Sequence, residues 1–410
     1  MKNRTDYDVV IVGGGMVGAT LACALGDTTL RVALVEANSD MPQWNLSDYA
    51  LRVSAITHAS QQIFEILGIW PAIEERRAYA FRDMHVWDAT GNGELHFDSA
   101  ELGEAHLGHI IENDVIVIAL YKRLKDFQNV DLLSSHTCEQ VFFDAENASL
   151  RLSGGKTLKT SLIIAADGSK SWLRQQANIT VRGWDYDQSA LVTYVRTEKP
   201  HQDTAWQRFM PDGPLAFLPL DKNISSIVWS THPEQAKLLA ALDEDIFCAE
   251  LTVAFEDRLG KVESTGPRAV YPLRFFDAER YVQPRLALIG DAAHTMHPLA
   301  GQGVNLGLAD VASLAEVLLQ AHQAKRDPGL EHTLRRYERW RKSENRIMLA
   351  SVDSFKRLYG SDMAVVRWLR NSGMELLDHF GPVKQHVLAY AMGLSGDLPR
   401  LSRGEPLLPQ

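Results

Sequence analysis

A β-branched apolar run, Tyr7 to Val12, leads directly into Gly13-Gly14-Gly15-Met16-Val17-Gly18 and then into an alanine- and leucine-rich stretch ending at Leu25. No other feature limits the fold as much, because this order of textures predicts a strand, a tight turn and a helix. A second run, Leu30 to Val35, ends at Glu36 and completes a βαβ unit within the roughly 30 residues such a unit needs. In the Gly-x-Gly-x-x-Gly frame Gly13 permits the turn, Gly15 lets a pyrophosphate reach the backbone, and Gly18 brings helix and strand together. The free N–H groups of the helix N-terminus favour the phosphate charge. Glu36 would accept hydrogen bonds from ribose hydroxyls and repel a ribose phosphate, so the resident dinucleotide is expected to be FAD or NAD rather than NADP.

The same segment could be mistaken for a signal peptide or membrane anchor, since residues 9 to 26 carry no charge. Three successive glycines would break a spanning helix, and Asp6 and Asp8 stand where a signal peptide carries positive charge. A net charge of −10 argues against nucleic acid as a partner. Cys23, Cys138 and Cys248 are too far apart for a C-x-x-C pair, so a reducing cytosolic setting is expected and neither a metal centre nor a disulfide reductase is.

Two further apolar runs end in small or acidic residues, Ser161 to Ala166 before Asp167-Gly168 and Arg285 to Ile289 before Gly290-Asp291; both read as central strands of the same parallel sheet. Elsewhere the texture alternates. Met84 to Trp87 and Glu94 to Phe97 flank Gly91-Asn92-Gly93, a hairpin signal, and Leu191 to Arg196 and Ile224 to Ser230 alternate likewise. The simplest architecture is a discontinuous nucleotide-binding domain (1–75, 107–182 and 276–330), an inserted antiparallel β layer (76–106 and 183–275) and a helical C-terminal region (331–410). The functional cleft is expected between the two layers.

Beyond Gly290-Asp291, the segment Pro298, Gly301, Gln302, Gly303, Val304 and Asn305 opens another helix. Its N-terminus suits the negative edge of a reduced flavin. Together with Gly13-x-Gly15-x-x-Gly18 and the frame Asp167-Gly168-x-x-Ser171-x-x-Arg174, this set resembles the group A flavin-dependent aromatic hydroxylases of the para-hydroxybenzoate hydroxylase type. Leu51-Arg52-Val53-Ser54-Ala55-Ile56, Trp206 to Phe209 with Pro211 to Leu220, Gly290 to His294, Gly301 to Gly307, Leu334 to Arg339 and Ala391 to Leu394 are similar to the ubiquinone-biosynthesis branch, 2-polyprenylphenol hydroxylases in particular.

The resemblance implies an α/β fold with a Rossmann-like FAD-binding domain, FAD as resident cofactor, NAD(P)H as a visiting reductant and O2 as co-substrate. The implied reaction hydroxylates the ring of a polyprenylated phenol, most simply at C5, with another ring position, as in demethoxyubiquinol, as the alternative. Gly13, Gly15, Gly18 and Glu36 are implied to bind the ADP half. Asp167 is implied to lie near the cofactor, and Gly290 and Asp291 at the ribityl chain. Pro298, Gly301, Gly303, Val304 and Asn305 would meet the flavin edge, and Arg52 would contact the flavin region. Asn113 stands where the wider superfamily often has arginine. A flavin reductase and a flavin-binding scaffold are the competing functions.

Phenols become better nucleophiles as they lose their proton, which makes His294 and His297 the nearest proton acceptors by motif position, with packing beside the flavin as the competing role. Trp206, Phe209, Phe217, Leu218 and Pro219 either line an apolar substrate pocket or belong to the core. From Arg335 to Gln410 there are 13 Lys or Arg against 8 Asp or Glu, a net +5. Trp340, Phe355, Tyr359, Trp368 and Leu369 lie among Lys356, Arg357, Arg367 and Arg370. This tail is either a helical cap or a surface for an anionic membrane or for other proteins of ubiquinone biosynthesis. A homo-oligomer, cytoplasmic or peripheral to the inner membrane, is expected.

Overall fold

Chain segments far apart in sequence meet in one parallel sheet, in the order Val130–Leu133, Val32–Val35, Tyr7–Val12, Thr157–Ala165, Leu286–Leu288. The computed structural model describes residues 5–39, 44, 48–91, 93–295, 303–359 and 381–408, with side chains not described at 351–359, 382, 387 and 391. Numbered along the chain, this is the 3-2-1-4-5 order of a dinucleotide-binding sheet, with its switch point beside the first strand. Val9, Val10, Ile11, Leu34, Ile163 and Ile164 are fully buried, as expected of strands covered on both faces. The helices Met16–Ala24, Asn113–Leu124 and Gly303–Gln323 pack together against this core. Gly303–Gln323 is long and apolar enough to cross a bilayer, but 67% of its most apolar window is buried in the protein, as in a core helix.

Thr157–Ala165 pairs in both directions within this sheet. Its first residues form a hairpin with Ala148–Leu152, and its last run parallel to Tyr7–Val12.

A second, nine-stranded sheet is built on Val181–Thr197, Thr204–Met210, Gly213–Asp221, Ile224–Thr231 and Ala269–Ala278, with the hairpin Asp83–Asp88 and Glu94–Asp98 at its edge. That hairpin joins it in parallel to Thr204–Met210, a departure from the all-antiparallel layer that alternation suggested, since periodicity carries no information about strand direction. One face lies under the helices Pro233–Ala241 and Glu244–Ala254. The other faces the nucleotide domain. Between the two sheets lies a three-stranded one, Val53–Ile56, Gly108–Glu112 and Tyr79–Phe81, which the sequence did not signal.

His109, on the middle strand of that small sheet, is 7% exposed. Its ring lies against Trp70 at 4.9 Å and His106 at 4.3 Å, and His106 in turn stacks on His58 at 4.5 Å. Burial, then the neighbouring His106 and His58, push its pKa down to about 3. Below its ordinary pKa of 6.5, the unfolded chain takes up a proton the folded chain refuses, so stability falls as pH drops, by ~1.4 kcal/mol per unit until about pH 3. Between pH 6.5 and 5 this amounts to about 2 kcal/mol. Urea titrations should therefore show His109→Phe losing about 2 kcal/mol less than the parent protein over that interval. Equal losses in the two proteins would remove His109 as the cause.

Candidate active site

The space around the glycines of the turn divides them into two kinds. Gly13 has φ +106°, and a Cβ there would stand 2.3 Å from the carbonyl oxygen of Ala166; one on Gly18 would stand 1.9 Å from that of Gly13. Both glycines are needed for the protein's own packing. At Gly15 a Cβ would meet nothing within 4 Å, although this residue caps the helix Met16–Ala24. The open space over Gly15 would accommodate a pyrophosphate. Glu36 closes the far side, with Oε2 accepting from the Gly14 N–H at 2.6 Å and Oε1 from the Asn38 N–H at 2.8 Å.

The Asp167 loop follows the strand beside Gly13. Asp167 Oδ2 accepts from the Leu173 N–H at 3.1 Å, while its buried Oδ1 has no partner among the described residues. Arg174 donates to the carbonyls of Ala292 and Ser169, both at 2.8 Å, and lies over the Phe276 ring. The Asp-Gly frame is thus braced to the Gly290–Ala292 turn.

Gly290 adopts φ +56°, and a Cβ on Gly307 would meet Val17 at 2.8 Å and the Gly290 Cα at 3.2 Å. The turn, the nucleotide helix and the helix Gly303–Gln323 therefore touch through small residues. Asp291 sits in a recess that solvent reaches, yet enough protein surrounds it to push its carboxyl above the ordinary range; the charges of His294 and Arg52 pull it back. Arg52 is exposed, 5.9 Å above the Tyr271 ring. Its carbonyl accepts from the Asn113 N–H at 3.0 Å, and Asn113 Oδ1 accepts from the Ser54 hydroxyl at 2.7 Å. Among the described residues, nothing lies within 4 Å of a Cβ placed on Gly303, as at Gly15. The open positions at Gly15 and Gly303 and the orphan Asp167 Oδ1 fit a dinucleotide held by Gly13, Gly15, Gly18, Glu36, Arg52, Asn113, Asp167, Gly290, Asp291, Gly303 and Val304, as expected from the sequence.

The Asn305 side chain is engaged within the protein, donating to the Ala55 carbonyl at 2.8 Å and accepting from the Ser60 hydroxyl at 2.7 Å, while the donors expected at the flavin edge belong to the helix N-terminus itself. Two expectations change. His294 is buried with Nε2 2.6 Å from Asp310 Oδ2, so the nitrogen is committed to a carboxylate behind the turn instead of facing a substrate ring. The five proposed pocket residues do not share a wall. Trp206 stacks on His85 and Phe217 on Phe255, under the helix-covered face, whereas Phe209 and Leu218 face the other side with Ala55 and Ile110. The strand period of two separates neighbours that the sequence places together. Pro219 is buried at the end of its strand. His297, Pro298 and Gly301 lie outside the described residues, as do Trp368, Leu369, Arg367 and Arg370 and the side chains of Phe355, Lys356, Arg357 and Tyr359.

The aromatic wall next to Arg52 was missed. Tyr271, Leu273 and Phe275 alternate along Ala269–Ala278 on the face toward the nucleotide domain, with Tyr186, Ala190 and Val192 from the neighbouring strand. Their i, i+2, i+4 spacing in AVYPLRFFDA is a strand signal that could have found them.

Replacing Glu36 with Gln tests the ribose contact, because it removes a charged acceptor worth about 1.5–3 kcal/mol. FAD affinity, followed by flavin fluorescence, should fall about 10- to 100-fold. An unchanged affinity would mean that Glu36 only holds the Gly14 loop.

The family described as FAD binding domain matches residues 6–349. The ubiquinone hydroxylase UbiL of Rhodospirillum rubrum is 39% identical over 98% of this chain and 93% of its own length. The 3-demethoxyubiquinol 3-hydroxylase of Escherichia coli is 37% identical over 94% of this chain and 98% of its own. Among solved structures, p-nitrophenol 4-monooxygenase PnpA from Pseudomonas putida superposes with a TM-score of 0.78 at 19% identity, covering 94% of this chain and 98% of that one, and so shares the fold. The chain therefore belongs to the FAD-binding monooxygenases, an FAD-dependent aromatic hydroxylase of the branch that contains the ubiquinone-biosynthesis hydroxylases.

Proposed function

We propose that this protein uses FAD, NAD(P)H and O2 to hydroxylate the aromatic ring of a polyprenylated phenol in ubiquinone biosynthesis, at C5 of the 2-polyprenylphenol ring. The supporting observation is the juxtaposition of Arg52 and Asp291 with the wall of Tyr271, Leu273 and Phe275, which joins a charged cofactor cradle to an apolar, aromatic surface. Such a surface matches a prenylated ring that offers few polar groups. A second reading, hydroxylation at the demethoxyubiquinol position, is favoured by the full-length similarity to the Escherichia coli enzyme.

FAD, when bound, supplies the electron transfer from NAD(P)H and the activation of O2. The chain's own residues do the rest. Gly15 and Glu36 hold the nucleotide, Asp291 and Arg52 orient its reactive end, and the Tyr271 wall excludes water from the ring. With His294 engaged by Asp310, the ring is positioned and kept dry without His294 taking its proton.

The test is a reconstitution with FAD, NADH or NADPH, and a short-tailed 2-polyprenylphenol. Substrate should accelerate NAD(P)H oxidation and the product should gain one oxygen from O2 at C5, read by mass spectrometry with labelled O2. Product oxygenated only when a demethoxyubiquinol analogue is offered would select the second reading. Reductant consumption indifferent to both rings would reject both.

A further inference from the structure

The helix Glu331–Tyr359 meets the cleft's far wall through polar side chains. Tyr337 donates its hydroxyl to the Leu288 carbonyl at 2.8 Å, and Glu338 accepts from the Tyr281 N–H at 2.8 Å. Arg341 Nε donates to Asp310 Oδ1 at 3.0 Å, and Asn345 Nδ2 to the same oxygen at 3.2 Å. Residues 337, 338, 341 and 345 share one helix face. Opposite them lies the strand Leu286–Leu288 together with the turn that presents Asp291 to the cleft.

Asp310 is the node. It is fully buried, and its other oxygen accepts from the Gly290 N–H at 3.0 Å and from His294 at 2.6 Å. Burial alone would push its carboxyl up, but His294, Arg341 and the Gly290 N–H outweigh that and hold it below the ordinary range. One carboxylate thus pins the left-handed Gly290 backbone on one side and the C-terminal helix on the other. Without Arg341 the fully buried carboxylate would keep His294, Asn345 and the Gly290 N–H but lose one of its cationic partners, which weakens its hold on the turn.

We propose that Arg341 is a positioning residue for FAD: by pairing with Asp310 beneath Gly290-Asp291 it makes the helix Glu331–Tyr359 part of the cofactor site, so that FAD binding and docking of that helix are linked. This rests on the cofactor lying against Gly290-Asp291. Linkage is reciprocal: whatever the docked helix adds to FAD affinity, FAD adds to the docking of the helix.

Two measurements test this on the full-length protein. The first is FAD affinity by flavin fluorescence. Arg341→Met should weaken binding about 10- to 100-fold, the range of ordinary coupling between sites. Arg341→Lys, which keeps the charge, should recover most of the loss. Tyr337→Phe, which loosens the same helix without touching Asp310, should stay within about threefold, a neutral hydrogen bond being worth little net. The second is hydrogen exchange of the parent protein with and without FAD, where exchange over residues 331–346 should slow about tenfold or more on loading, by the same coupling.

Arg341→Met and Tyr337→Phe weakening FAD equally would mean that the helix is a structural cap, and would overturn the proposal. Should Arg341→Met fail to fold, the exchange experiment decides alone: no FAD-dependent slowing over 331–346 overturns the linkage. Asp291→Ala with undiminished FAD affinity would instead refute the placement of the cofactor on which the linkage rests.

Discussion

Protein carrying Gly15→Ala should fold as well as the parent and yet emerge from purification without its yellow colour. A Cβ at that position meets nothing of the protein within 4 Å, so the folded chain bears only the loss of a tolerated capping residue, about 1 kcal/mol or less. A pyrophosphate bound as expected would lie in that open space, against the helix N-terminus. A methyl group there should cost about 100-fold or more in FAD affinity, or about 2.7 kcal/mol. The checks are thermal unfolding of the cofactor-free protein and titration with FAD. A variant that keeps its flavin would show that the nucleotide approaches elsewhere.

Gly18→Ala should fail in the opposite manner. Its Cβ would stand 1.9 Å from the Gly13 carbonyl oxygen and 3.1 Å from the Ala166 Cβ, and no side-chain rotation relieves a clash with backbone. The helix Met16–Ala24 would have to lift from the first strand, breaking contacts of Leu21 and Ala22, both fully buried. We expect a loss of about 3 kcal/mol or more, at the upper end for overpacking, measured by urea denaturation without FAD. Loss of cofactor would follow from loss of structure. The pair separates a glycine the ligand needs from a glycine the fold needs, and a Gly18→Ala protein with parental stability would overturn that division.

The parts of this molecule that were legible in the sequence are those where backbone chemistry dictates residue type. Gly13 and Gly18 are read from the turn because only glycine fits, and the strands around Ile11 and Ile164 from their unbroken apolar runs. The small sheet of Val53–Ile56, Tyr79–Phe81 and Gly108–Glu112 was invisible, since its pairings are long-range and its strands too short for periodicity to register. The pocket residues failed for a different reason. Trp206 and Phe209 are three apart in one strand, so they point to opposite faces, and an aromatic-rich segment is not yet an aromatic wall. His294 was read from its motif, but its partner Asp310 lies a helix turn and more beyond that motif, and only the fold shows that the imidazole is already occupied.

The parallel sheet has its last strand, Leu286–Leu288, docked against Thr157–Ala165, with most strands of the nine-stranded sheet between them in the chain. During synthesis at the ribosome, the first βαβ unit emerges early but has no Gly290 turn to press against until some two hundred and fifty residues later. Loop-closure entropy makes such distant pairings slow to form, so the nascent amino-terminal half must wait with an unfinished sheet edge exposed. A chaperone that shields that edge would be of most use to this protein before its flavin can be of any.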